Sequence, residues 1–189
     1  MANKSYKLLS INDTASWQTK HIFARPGNAD SYTINSEYGH APIRAGMSNL
    51  LREGVLFQNC IFTTHGSPGE VWFGDEWIDA EVWYKQFYDR GYGRLFLPNA
   101  KLYFAGCNVA DGADGWKFLE AAARSLLRVN GGTAMAWTSS GFAGPWSGHM
   151  RHFWGDTRQV MVLAGGTELR FFENWKLITD GSGVPVRPG

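Results

Sequence analysis

Two side chains of this 189-residue chain carry the chemistry of covalent hydrolysis, an imidazole at His65 and a thiol at Cys107. A thiol with an ordinary pKa of about 8.5 is mostly protonated at neutral pH, so a cysteine nucleophile needs a partner. Imidazole titrates near neutrality and can exchange a proton with the thiol or with a leaving group. Both residues stand where an apolar run stops. Leu56-Phe57-Gln58-Asn59-Cys60-Ile61-Phe62 leads into Thr63-Thr64-His65-Gly66, and Lys101-Leu102-Tyr103-Phe104-Ala105 leads into Gly106-Cys107-Asn108. Buried strands that deliver reactive groups from the carboxyl edge of a sheet are how open α/β folds build sites.

Those two ends need a scaffold. Lys7 to Ile11 reads as a first strand closed by Asn12-Asp13, and the stretch from Asp13 to Ile43 is poorly periodic, with a turn signal at Arg25-Pro26-Gly27-Asn28. Met47, Leu50 and Leu51 mark a short helix ending near Gly54, and Val55 to Thr63 reads as the next strand. Gly66-Ser67-Pro68-Gly69 followed by Glu70-Val71-Trp72-Phe73-Gly74 predicts a small hairpin over the sheet edge. Asp79 is placed to cap a helix carrying Val82, Trp83, Phe87 and Tyr88 at helical spacing. Pro98-Asn99 ends that connection, and Lys101 to Ala105 follows as a strand.

Gly115 to Leu127 has the clearest helical stripe, with Asp114 as its expected N-cap and Gly131-Gly132 as its stop. Thr133 to Trp137 reads as a further parallel strand. Gln159 to Leu163 and Glu168 to Phe172 form an expected edge hairpin joined by Ala164-Gly165-Gly166-Thr167. The strand-helix-strand rhythm predicts α/β architecture with right-handed crossovers around a mostly parallel sheet. One domain is expected over 1–183, with 184–189 as a frayed tail.

Composition narrows the function classes. Eighteen basic against seventeen acidic residues give a formal charge of +1, without the electrostatic footprint of a nucleic-acid binder or a polybasic membrane patch. The N-terminal residues do not read as a secretory signal, and no run reaches the ~18 apolar residues of a membrane helix. Two cysteines, Cys60 and Cys107, are too few for a disulfide framework, so a reducing cytoplasm is expected, with signal-independent export left open. Cys60 lies inside an apolar strand and reads as core. His149-Met150-Arg151-His152 has metal-like spacing but no accompanying ligands and reads as a loop, and Asp111-Gly112-Ala113-Asp114 reads as helix capping rather than a calcium loop. No metal or organic cofactor is expected.

The stretch from Phe62 to Gly115 resembles the caspase-like cysteine peptidases, the clan that also holds metacaspases, clostripain, gingipains and legumain. It shares an apolar strand ending in His-Gly, a glycine-containing hairpin, a helix, and an apolar strand ending in the nucleophilic Cys. Cys107-Asn108-Val109-Ala110-Asp111-Gly112 looks more like the bacterial branches, and it departs from the residues that flank the cysteine in caspases themselves. The resemblance covers about a third of the chain.

The resemblance implies a three-layer sandwich with helices on both faces of the sheet. It implies Cys107 as nucleophile, His65 as general acid/base, and the Gly66 and Cys107 amides as oxyanion hole. It implies that Thr138, Ser139 and Ser140 wall the pocket for the residue before the cut. Arg44 would suit an acidic side chain there, and Asp111 or Asp114 a basic one, so the preference stays open. The expected reaction is hydrolysis of peptide bonds in a protein or peptide substrate. Two alternatives are a catalytically silent scaffold that holds a peptide, and a papain-like amidase pairing Cys107 with His149 or His152.

Overall fold

The computed structural model describes residues 4–15, 30–143, 150–152 and 155–188, with backbone alone at 141–143 and 150–152. Its main feature is a mixed sheet of eight strands. Five run parallel: β1 (Ser5–Asp13), β2 (Ser31–Ser36), β3 (Leu56–Thr63), β7 (Phe96–Phe104) and β8 (Gly132–Trp137). Three add antiparallel at one side: β11 (Thr157–Val162), β12 (Leu169–Glu173) and β13 (Lys176–Leu177). The order across the sheet is β13-β12-β11-β8-β7-β3-β1-β2. A separate antiparallel sheet joins β4 (His65–Ser67), β5 (Glu70–Phe73) and β6 (Glu76–Ile78), and β9 (Gly141–Ala143) pairs with β10 (Met150–His152).

Three helices complete the described fold: α1 (Ala41–Glu53), α2 (Ala80–Phe87) and α3 (Gly112–Leu126). All three lie on one face of the large sheet. Ile34, Ile11, Phe62 and Phe104 stand side by side across β2, β1, β3 and β7. At one end of this row Ile34 presses on Gly46 of α1, and at the other Phe104 meets Trp83 of α2 and Phe118 of α3 edge-on. Residues in register on neighbouring strands share a face, so the row fixes the side on which the helices sit. Phe62, Trp83, Phe104 and Phe118 form one aromatic cluster with ring centroids 4.7–5.4 Å apart. Such offset and edge-on pairs add roughly 0.5–1.5 kcal/mol each beyond area burial.

Several boundaries differ from the sequence expectation. β2 falls in the stretch read as unpatterned; only its Ile34 and Ser36 are buried, so the strand has no apolar alternation to show. α1 starts at Ala41, with Pro42 in its first turn, so Arg44 lies inside the helix rather than before it. β7 begins at Phe96 and passes through Pro98-Asn99 at an irregularity in its register with β3, where Asn99 takes φ +61° and Pro is tolerated. α3 is capped by Asp111, whose Oδ1 accepts from Gly112 N–H at 2.8 Å. Asp114 sits in its first turn and pairs with Lys117 Nζ at 2.8 Å instead. In the tail, Val186 N–H donates to Ile178 O at 3.2 Å and Arg187 Nη2 pairs with Glu120 Oε2 at 3.1 Å.

The core yields a prediction. Trp83→Ala should cost about 3–5 kcal/mol in urea unfolding, as for other large-to-small aromatic substitutions. Trp83→Phe should recover most of that loss, because the buried indole N–H has no hydrogen-bond partner to forfeit.

Candidate active site

His65 opens β4, directly after β3 ends, and Cys107 follows β7 in a tight turn before α3. β3 and β7 are parallel neighbours, so both residues emerge at the same carboxyl edge. Both side chains are half-buried. The main chain of Gly66, next to His65, closely approaches that of Gly106-Cys107. A Cβ placed on Gly66 would lie 2.7 Å from the Cys107 carbonyl oxygen, 3.1 Å from the Cys107 nitrogen and 2.4 Å from Val109 Cγ2. A Cβ on Gly106 would lie 3.1 Å from both the Cα and the nitrogen of Gly66. Only residues without side chains let these two segments share that space.

The turn holding Cys107 is fixed from the other side by β8. Asn108 N–H donates to Ser139 O at 3.0 Å and Ala110 N–H to Trp137 O at 3.0 Å. Asn108 takes φ +57°, a left-handed conformation that Asn tolerates better than most residues. Asp111 N–H then closes the turn on Asn108 O at 2.8 Å, and α3 begins. The 138–140 segment therefore borders the Cys107 turn. Thr138 exchanges two hydrogen bonds with Asp156, donating through its N–H at 2.9 Å and accepting on Oγ1 at 2.8 Å. Ser139 is buried and Ser140 is exposed.

The three-stranded hairpin that carries His65 is tied down at both ends. Gly69 N–H donates to Val109 O at 3.1 Å, and a Cβ on Gly69 would strike Asp114. At the far end Gly74 N–H donates to Asp13 Oδ1 at 3.1 Å and Gly39 N–H donates to Phe73 O at 3.0 Å. Glu76 Oε2 pairs with His40 Nδ1 at 2.6 Å and also accepts from the His40 N–H at 3.0 Å. Asp13 is fully buried, and its Oδ1 also accepts from Ala15 N–H at 3.1 Å. Sequence reading treats Asn12-Asp13 as a strand terminus only. The missed signal is that Leu8-Leu9-Ser10-Ile11 also leads into polar residues, as the runs before His65 and Cys107 do.

The remaining candidates are engaged in other roles or lie elsewhere. Arg44 is turned into the seam between α1 and α2, where its Nη1 donates to Gln86 Oε1, and its carbonyl accepts from Tyr92 Oη at 3.2 Å. Asp111 is engaged as the α3 cap. His149 falls outside the described residues. Met150–His152 forms a strand, unlike the loop expected there, and the His152 side chain is not among those described. Cys60 is 1 % exposed, and burial pushes its thiol pKa well up. Among the described residues no group of three or more His, Cys, Asp or Glu is placed to hold a metal ion. No described helix is long and apolar enough to cross a membrane.

Compared with protein-family models, curated proteins and solved structures, the chain matches none.

The hairpin ties give the second prediction. Asp13→Ala should speed amide exchange at Gly74 and Ala15 and cost about 1 kcal/mol, the ordinary net worth of a lost hydrogen bond. Asp13→Asn, which keeps an acceptor at Oδ1, should stay close to the native protein in both measurements.

Proposed function

We propose that the chain is a cysteine peptidase of the caspase-like kind, with Cys107 as nucleophile and His65 as general acid/base. The observation that carries this reading is the contact of the Gly66 main chain with Gly106-Cys107. It sets an imidazole-bearing and a thiol-bearing residue on adjacent strand ends at the carboxyl edge of a mixed α/β sheet. The three-layer caspase-like sandwich belongs to the same proposal, with α1, α2 and α3 as one outer layer.

In this reading the Cys107 thiolate attacks the scissile carbonyl carbon, and the carbonyl π pair moves onto oxygen. The amides of Gly66 and Cys107 receive that oxyanion; a donor of this kind is worth roughly 2.7–4 kcal/mol to a transition state. The carbonyl re-forms as the C–N bond breaks, and His65 delivers a proton to the departing amine. Water then hydrolyses the thioester, restoring the thiol and releasing the acid. Gly66 has the side chain that such a cradle requires, none. Thr138, Ser139 and Ser140 border the same turn and wall the pocket for the residue before the cut. The substrate is a protein or peptide, met in the cytoplasm. Arg44, engaged by Gln86, is not used.

Iodoacetamide at neutral pH should label Cys107 and spare Cys60. The raised pKa of Cys60 leaves it as thiol there, and its burial shields it, so it reacts only after unfolding or at strongly alkaline pH. Cys107→Ala and His65→Ala should each lower kcat/KM on a peptide library by at least about a thousandfold, on the precedent of other catalytic dyads and triads. Equal labelling of the two thiols in the folded protein, or cleavage that survives Cys107→Ala, would overturn the reading.

A further inference from the structure

The face of the large sheet opposite the helices carries a second row in register: Ile61, Tyr103, Met135, Gln159 and Phe172, on β3, β7, β8, β11 and β12. No described helix covers it. Between β7 and β12 this face opens into a groove of about 260 Å³. That is the room of roughly eight or nine liquid waters, which suits a ligand of one or two rings. Met135, Met161 and Phe172 supply an apolar floor, all half-buried, and the exposed Lys101 is the one charged side chain of the lining.

Two features of this groove work against stability. Gln159 is 5 % exposed, yet its Nε2 has no hydrogen-bond partner. A buried amide donor without an acceptor is costly and calls for an explanation. Trp175, at the groove rim, is 63 % exposed and holds φ +67°, a left-handed backbone that a bulky residue adopts only under strain. The strain is imposed by the turn. Asn174 N–H donates to Thr157 O at 2.8 Å and Asn174 Oδ1 accepts from Thr157 N–H at 3.1 Å, so the preceding residue is pinned to β11. Glycine would suit position 175 better, and an apolar side chain would suit position 159 better. Strain and unmet polarity gathered in one cleft are what a binding site keeps at the expense of stability.

We propose that this groove binds a small aromatic anion, an aryl carboxylate or sulfonate. Its ring lies on Met135, Met161 and Phe172 beneath the Trp175 indole, where thioether-to-ring and ring-to-ring contacts are favourable. Its anionic group meets Lys101, and one of its oxygens accepts from Gln159 Nε2. The site is independent of the His65/Cys107 edge and of the peptidase reading.

The test follows the isotope-labelled methionine methyl groups by NMR while naphthalenesulfonate is added to the intact protein. The Met135 and Met161 signals should shift saturably, and Met47, buried on the helix side, should not move. Neutral naphthalenemethanol should bind at least about tenfold more weakly, and Lys101→Glu should weaken naphthalenesulfonate by a similar factor, which corresponds to about 1.4 kcal/mol. Trp175→Gly and Gln159→Leu should each abolish binding while holding or raising the thermal unfolding midpoint. A merely structural tryptophan or glutamine would do the opposite, so a fall in midpoint with either variant overturns the proposal. Absence of saturable shifts at Met135 and Met161, equal shifts at Met47, or indifference to the charge of probe or protein would overturn it too.

Discussion

The close approach of Gly66 to Gly106 and Cys107 is the constraint on which the carboxyl edge depends. Two main chains from different sheets occupy space that a single methyl group would fill, and Val109 closes the contact from below. The separation of the imidazole-bearing and thiol-bearing residues is therefore set by backbone packing, which does not relax as side-chain rotamers do. In the proposed peptidase reading, a pair held this way is brought together before any substrate arrives, the condition under which positioning contributes most to rate. The strand holding His65 belongs to a small separate sheet and gains nothing from the large ladder. That is why its hairpin needs anchors at Val109, Asp13 and His40.

Those anchors explain where the buried polarity lies. Asn12, Asp13, Ser36, Thr63 and Thr64 are all buried, and all stand at the carboxyl ends of β1, β2 and β3. The opposite ends of the same strands carry Tyr6, Tyr32 and Phe57, which pack ring on ring. The sheet is thus polar at one edge and aromatic toward the other. Asp13 Oδ2, Thr63 Oγ1 and Thr64 Oγ1 lack hydrogen-bond partners. An edge built only for stability would have apolar residues there, since each buried unmet polar atom costs of order 1–3 kcal/mol.

What the sequence reveals follows from how strongly each local signal is tied to its partner. β8, α2 and the body of α3 are legible because their buried residues repeat at the period of the element, β3 because it is an apolar, β-rich run, and Asp79 caps α2 where its position before the stripe requires, accepting from Val82 N–H at 2.8 Å. β2 is invisible because Ile34 is its one buried apolar residue, Tyr32 being exposed. The α3 cap is misjudged because Asp111 and Asp114 both suit a first turn, and only backbone dihedrals separate the extended Asp111 from the helical residue three positions later. α1 is preceded by His40, whose side chain makes no capping bond, so Pro42 in the first turn is the one local mark of its beginning. At the site, His65, Gly66 and Cys107 were legible as strand termini. Asp13 was not, because its importance lies in a bond to Gly74, 61 positions away.

The two faces of the sheet show a further asymmetry. β8 reads Gly-Thr-Ala-Met-Ala-Trp, and its small residues Ala134 and Ala136 point to the helices while Met135 and Trp137 point away. α3 packs on that same face, and its own buried residues include the small Ala121, Ala122 and Ala123. Large side chains on β8 would force α3 outward and break the Phe104–Phe118 contact beside it. Core packing therefore accounts for the small residues of β8 and leaves the large ones unexplained. Met135 contributes to no described helix contact, and Trp137 is tied instead to Tyr103, its Nε1 donating to the phenol oxygen at 2.6 Å. Among the described residues no helix packs on the face that carries Met135, so its apolar volume is the part of β8 left to the ligand proposed above.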